Sequence, residues 1–245
     1  MNLINKIKFE LKVMIKSPTE IYTYFIFPII LTLLVGYLTK DSFGSEISSY
    51  EYYSFNMMIF VYIGAGNASL YNFINKPVKQ GNFRVIFTPI KTIYMYLSQI
   101  LAGTIFCAIG IAFTILVFKI FFNINYRGNE FSIFALFTSI AFVANAVGIF
   151  LATIIDNVDT TNIIITIGQG ILCVLGGAFF SLEALGKIPT AISKLSLVKY
   201  WRDGIFNIMY DNSYFIISIS ILINVALGIM FIIFCKYTFN TEKYV

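Results

Sequence analysis

The 245-residue sequence has no histidine and only three cysteines. Without histidine the commonest general base is missing, and most metal-site readings go with it. Cys107, Cys173 and Cys235 each fall inside an apolar run. An odd number with no close pair argues against a disulfide framework or a zinc site and leaves them as small hydrophobes in helices. Charge is also scarce. Asp, Glu, Lys and Arg make up 12% of the residues, against roughly a quarter in soluble domains. So few charges cannot cover the surface of a soluble fold.

Chemical motifs are missing as well. The phosphate-cradling pattern of Gly, four residues, Gly-Lys and a hydroxyl residue does not occur; Gly186-Lys187 is followed by Ile188. The chain is therefore not expected to hydrolyse ATP by itself. No zinc-protease motif or serine-nucleophile elbow is present. No expected span holds a carboxylate deep in its core, a group that proton- or sodium-driven carriers usually need.

What is present is apolar. Hydrophobic residues make up 58% of the chain, aromatics 18%, and the mean hydropathy is +0.83. The bilayer is the natural solvent. The net charge of +5 fits lysine-marked cytoplasmic loops facing anionic headgroups, with lipid and not nucleic acid as the partner.

In chain order, residues 2–17 place Lys6, Lys8, Lys12 and Lys16 among Leu3, Ile7, Leu11 and Met14 at helical spacing. This predicts an amphipathic helix on the inner membrane surface, not a signal peptide. Ser17-Pro18 breaks it. Six apolar runs follow, over about 21–38, 53–74, 93–118, 132–155, 162–180 and 213–235. Together they predict one all-α polytopic membrane domain over residues 1–245, with six transmembrane helices. Pro28 permits a kink in the first span. Small residues around Gly64 and Gly66, and the Ala144/Gly148 pair, suit close helix approach. Asp156 and Asp159 read as a solvated interfacial turn. The half-polar segment 181–212 predicts two short amphipathic helices at the membrane surface, with Tyr200 and Trp201 at the interface.

The largest polar island in the first half is Asn75 to Lys91, with Lys76, Lys79, Arg84 and Lys91 and no acid. The first connecting loop carries Asp41, Glu46 and Glu51 against Lys40 alone. The positive-inside rule thus puts both termini and the 75–91 loop in the cytoplasm, with ten of the seventeen basic residues on that side.

Three stretches in order resemble the membrane (permease) subunit of ATP-binding-cassette type-2 exporters: the N-terminal helix leading into IKSPTEIYTYFIFPIILTLLVG, then KQGNFRVIFTPIKTIYMYLSQIL, then LGGAFFSLEALGKIPTAISKLSLVKYWRDGIFNI. The resemblance implies a cytoplasmic coupling helix at 75–91 that docks on a separate ATPase subunit, and an extracellular helical hairpin at 181–212. The coupling residues it implies are Lys79, Gln80, Gly81, Phe83, Arg84, Thr88 and Pro89. Lys79, Arg84 and Lys91 could meet acidic ATPase surface, and Val85, Ile86 and Phe87 could anchor in it; the physical alternative is a loop that touches only lipid headgroups. Where the family usually carries acids before the loop glycine, this chain has Lys79-Gln80, so its partner surface would differ in charge. It also reads Ser196-Leu197-Val198-Lys199 where the family often has a proline before the aromatic pair. The resemblance further implies a second permease subunit, no cofactor in this chain with ATP and magnesium on the partner, and a bacterial plasma-membrane location.

The expected function is outward movement of an amphipathic or apolar substrate, such as a drug, peptide or lipid. Asn67, Gln99, Asn145 and Asn224 are the polar points that could mark the path, and interhelical packing explains each as well. An ion-coupled carrier acting alone is the alternative. A lipid-modifying membrane enzyme would want a polar catalytic cluster that only 156–159 and 181–212 could offer, and neither holds one.

Overall fold

The computed structural model describes residues 3–42, 48–74, 93–155, 157–180, 182 and 186–239. Among these every regular element is helical, and six helical segments are long and apolar enough to cross a membrane: Pro18–Leu38, Ser49–Ile74, Ile93–Phe121, Glu130–Ile154, Val158–Leu175 and Phe215–Thr238. The second and fourth are the most buried; the first, fifth and sixth leave most of their surface uncovered. The fourth span packs on the sixth, third and second and forms the centre of the bundle.

Local signals fix the span ends. Ser48 accepts a hydrogen bond from the Glu51 amide at 3.1 Å and caps the second span, and Asn157 caps the fifth through the Thr160 amide at 3.0 Å. Each side-chain oxygen satisfies an amide that the first helical turn leaves unpaired. The fifth span ends at Gly176, before Gly177 at φ +73°, a left-handed geometry that favours glycine. Lys119 and Glu130 form an ion pair at 2.6 Å across the connection from the third span to the fourth.

The first span starts earlier than its hydropathy suggests. Helix resumes at Pro18 itself, because a proline at the first helical position lacks an amide that would be unpaired anyway. This draws Glu20 into the span.

The N-terminal helix spans Leu3–Ile15 and lies mainly against the third span. Its buried stripe is Lys6, Glu10 and Met14, while Leu3, Ile7 and Leu11 are half-buried. Ile4, Phe9 and Ile15 are exposed beside Lys8, Lys12 and Lys16. Two charges go inward because they sit four residues apart and meet at 3.7 Å. Burial, the larger influence, lowers the Lys6 pKa and raises that of Glu10; their mutual attraction opposes both shifts.

Between the fifth and sixth spans lie helices Lys187–Ser193 and Leu197–Tyr210. The expected interfacial aromatic pair divides. Tyr200 is 44% exposed, but Trp201 is 4% exposed and donates its indole N–H to Asn224 Oδ1 at 3.2 Å. Successive helical residues point about 100° apart, so the two rings cannot share one surface.

Candidate translocation cavity

The first and second spans are both irregular, and the irregularities meet. Pro28 has no amide to donate to the Tyr24 carbonyl, and the first span widens into a π-helical turn at Tyr22–Ile26 just before it. The Tyr62 hydroxyl supplies the missing donor, reaching the Tyr24 carbonyl at 2.9 Å. Thr32 Oγ1 donates to the Pro28 carbonyl at 2.8 Å.

The second span breaks at Gly64-Ala65, between helical pieces Ser49–Ile63 and Gly66–Ile74. The Gly64 amide donates to the Val61 carbonyl at 3.1 Å, which leaves the Phe60 carbonyl without its usual helical partner. Gln169 Nε2 of the fifth span donates to that carbonyl at 2.7 Å. The Tyr24 hydroxyl donates to the Gly64 carbonyl at 3.1 Å. A Cβ at Gly64 would lie 2.9 Å from Gln169 Oε1, so a side chain there would push the Gln169 amide off the Phe60 carbonyl. Backbone irregularity at membrane depth survives only where protein partners or a cavity receive the freed groups.

A cavity of about 350 Å³ opens beside this break. Its lining includes Glu20, Tyr24 and Phe27 from the first span, Phe60 and Asn67 from the second, and Gln169 from the fifth. Glu20 is 9% exposed. Its Oε1 accepts from Asn72 Nδ2 at 2.8 Å, while its Oε2 and the Oδ1 of Asn67 are buried without a hydrogen-bond partner among the described residues. A second, mostly apolar cavity of about 330 Å³ lies on the other side of Gln169, against Ile140, Ala144, Gly168 and Trp201.

The polar residues expected on a path fall into different surroundings. Asn67 lines the first cavity. Asn145 is fully buried; it accepts from Ser69 Oγ and donates to the Ala141 carbonyl at 2.7 Å. Asn224 is also fully buried, accepting from Trp201 and donating to Ser139 Oγ at 2.9 Å. Gln99 is buried in the third span, its Nε2 without a partner among the described residues. Lys79, Gln80, Gly81, Phe83, Arg84, Thr88 and Pro89, like Asp156, lie outside the described residues.

Composition alone missed Glu20, a buried carboxylate that the earlier helix start draws into the first turn of the first span, at its end and not deep in its core. The signal was present in Ser17-Pro18-Thr19-Glu20, which reads as a helix start with an acid in its first turn. Tyr24 was legible as the residue four before Pro28. Nothing local announced that Tyr62 and Gln169 would serve the two breaks.

At the opposite end of the second span, the Tyr210 hydroxyl donates to Glu51 Oε1 at 2.8 Å. Burial, and then the Glu51 carboxylate, push the Tyr210 phenol up to about 12. The Arg127 guanidinium lies over the Tyr210 ring at 4.4 Å and donates to the Met209 carbonyl at 3.0 Å. Asn129 Nδ2 donates to the Ile208 carbonyl at 3.3 Å. These contacts tie the third-to-fourth connection to the helix that precedes the sixth span.

Six apolar spans with buried polar breaks and a cavity beside them define a multi-pass helical membrane protein of the permease kind. The family model for the ABC-2 type transporter matches residues 3–210, and the chain belongs to that family. A comparison with curated proteins finds no match.

Proposed function

We propose that this chain is the permease subunit of an ATP-driven exporter, and that the path for an amphipathic or apolar substrate runs along the cavities flanking Gln169. The observation that carries this reading is the junction of two irregular spans beside a cavity of about 350 Å³. Broken helices next to a binding cavity are the elements that rocking transporters move. Asn67 belongs to this path by its place in the lining; Asn145, Asn224 and Gln99 border it from the packed interior. Family membership supports a separate ATPase subunit as the motor. We assign docking of that subunit to the cytoplasmic loop at 75–91, through Lys79 and Arg84 with Gln80, Gly81, Phe83, Thr88 and Pro89 around them. A second permease subunit would cover the fifth span, whose Ile163, Ile167 and Ile171 are exposed.

The test is co-purification and transport. Tagged chain should bring down an ATPase subunit, and vanadate should stop transport. Lys79→Glu with Arg84→Glu should abolish ATPase docking while membrane insertion stays intact. Transport that ignores vanadate and requires no ATPase would sink the reading.

One observation favours a second reading, an ion-coupled carrier: Glu20 is a carboxylate inside a span. That carrier would stop when the proton gradient collapses and would continue under vanadate.

A further inference from the structure

We propose that the cavity beside the second-span break binds an organic cation, with a primary or secondary ammonium held by Glu20 Oε2 and Asn67 Oδ1. This deepens the permease reading and rests on it for the ligand's onward route, though not for the binding itself.

Four observations converge. Glu20 is a buried acid, and one of its oxygens has no hydrogen-bond partner among the described residues. A second buried acceptor without a partner, Asn67 Oδ1, lines the same cavity. With Glu20 ionised, both atoms are acceptors, so a ligand that satisfies them brings a donor. An ammonium has N–H donors and the compensating charge; a neutral apolar ligand has neither. Among the described residues no lysine or arginine contributes to the lining, which instead offers the rings of Tyr24, Phe27, Phe60 and Tyr71. Aromatic faces favour a cation over an anion and take up the apolar part of an amphipathic amine. The volume of about 350 Å³ falls in the lower part of the range of small-molecule sites.

The position also suits capture from the bilayer. Glu20 lies in the first helical turn of its span, beside exposed Thr19. An amphipathic amine resting with its ammonium among headgroups would meet the carboxylate at that depth. Asn72 holds Glu20 by the other oxygen, Oε1, and anchors its own amide on the Ala68 carbonyl at 3.0 Å. The carboxylate is thus oriented before any ligand arrives.

The test uses the full chain in lipid nanodiscs without any ATPase, so binding and ATP-driven transport can fail separately. The probe is a dansyl-tagged aminoalkane with a terminal ammonium; its N-acetylated, uncharged counterpart is the comparison, and empty nanodiscs are subtracted. A charge-assisted contact predicts that the ammonium probe binds at least about tenfold tighter than the acetylated one. Glu20→Gln removes that preference. Glu130→Gln, which loses one charge in the distant pair with Lys119, keeps it. A second measurement needs no variant: carbodiimide labelling of Glu20 in the wild-type chain, read by mass spectrometry, is slowed by the ammonium probe and not by the acetylated one. Equal binding of the two probes, or a preference that survives Glu20→Gln, overturns the proposal. Protection of Glu20 by sodium chloride alone, with no effect of the amine, assigns the site to a metal cation and equally overturns it.

Discussion

The hydroxyl of Tyr62 donates to the backbone carbonyl of Tyr24 at 2.9 Å, across the first and second spans. Tyr24 in turn sends its own hydroxyl to the Gly64 carbonyl at 3.1 Å. The Tyr62 ring thus serves the carbonyl that Pro28 leaves without an amide, while the Tyr24 ring adds a second donor to the Gly64 carbonyl, which also accepts from the Asn67 amide at 3.0 Å.

Removing the Tyr62 hydroxyl should strand the buried Tyr24 carbonyl. Tyr62→Phe is expected to cost about 1–3 kcal/mol, a Tm fall of roughly 2–12 °C for a chain of this size. Pro28→Ala restores an amide four residues after Tyr24. The double variant should therefore lose less than the two single losses added together. Strict additivity in a thermal-shift series would show that Pro28 and Tyr62 do not share that carbonyl.

Glycines at contact and at open faces should behave oppositely. A Cβ at Gly66 would sit 2.5 Å from the Ala144 carbonyl oxygen, and one at Gly148 would press on the Gly66 backbone. Neither obstacle can swing away, so Gly148→Ala should cost about 1–3 kcal/mol by overpacking. A Cβ at Gly168 meets nothing within 4 Å. Gly168→Ala should be neutral, or stabilising by up to about 1 kcal/mol through helix propensity. Melting curves of the two purified variants give the comparison, and equal losses would refute it.

The buried pair in the N-terminal helix makes a pH prediction. Lys6→Met leaves Glu10 buried without its cation, at a cost of about 3–5 kcal/mol to helix docking at neutral pH. Burial already raises the Glu10 pKa, and loss of Lys6 raises it further. A raised carboxylate pKa means that the docked state holds the proton more tightly than the undocked state. Docking is then strongest below the usual carboxylate range and weakens as pH rises through the raised value. Hydrogen exchange over residues 3–15 should therefore slow on acidification in Lys6→Met, beyond the intrinsic pH effect measured in wild type. Exchange that follows the wild-type pH profile would count against the pairing.

Trp201 should act as a tie, not as a membrane anchor. Trp201→Phe keeps most of the ring but leaves Asn224 Oδ1 without its donor. The expected loss is about 0.6–2 kcal/mol, the range for hydrogen bonds between membrane helices. Tyr200→Phe, at an exposed ring, should cost less. The ranking of the two Tm shifts decides between these roles.

Much of the bundle was legible in the chain. Runs of apolar residues announced six spans because bilayer thickness sets a minimum apolar length. Ala144 and Gly148 announced a close approach because only small side chains permit one. Pro28 announced an irregular turn because proline lacks a donor. The site was less legible. Asn67, Gln99, Asn145 and Asn224 looked alike in sequence. Yet Asn145 and Asn224 are joined to packed partners while Asn67 keeps an unpartnered oxygen beside a cavity. Amide side chains have the same chemistry everywhere; their neighbours decide what they do.

By itself the sequence determined the solvent, the helical class and the absence of a phosphate-binding motif, since these follow from composition and local spacing. Only the tertiary structure decided that Lys6 and Glu10 turn inward, that Trp201 is buried, and that Glu20, Asn67 and Gln169 share one cavity. These are relations between helices far apart in the chain. They depend on which carbonyls a break sets free and which side chain of another span stands close enough to receive them.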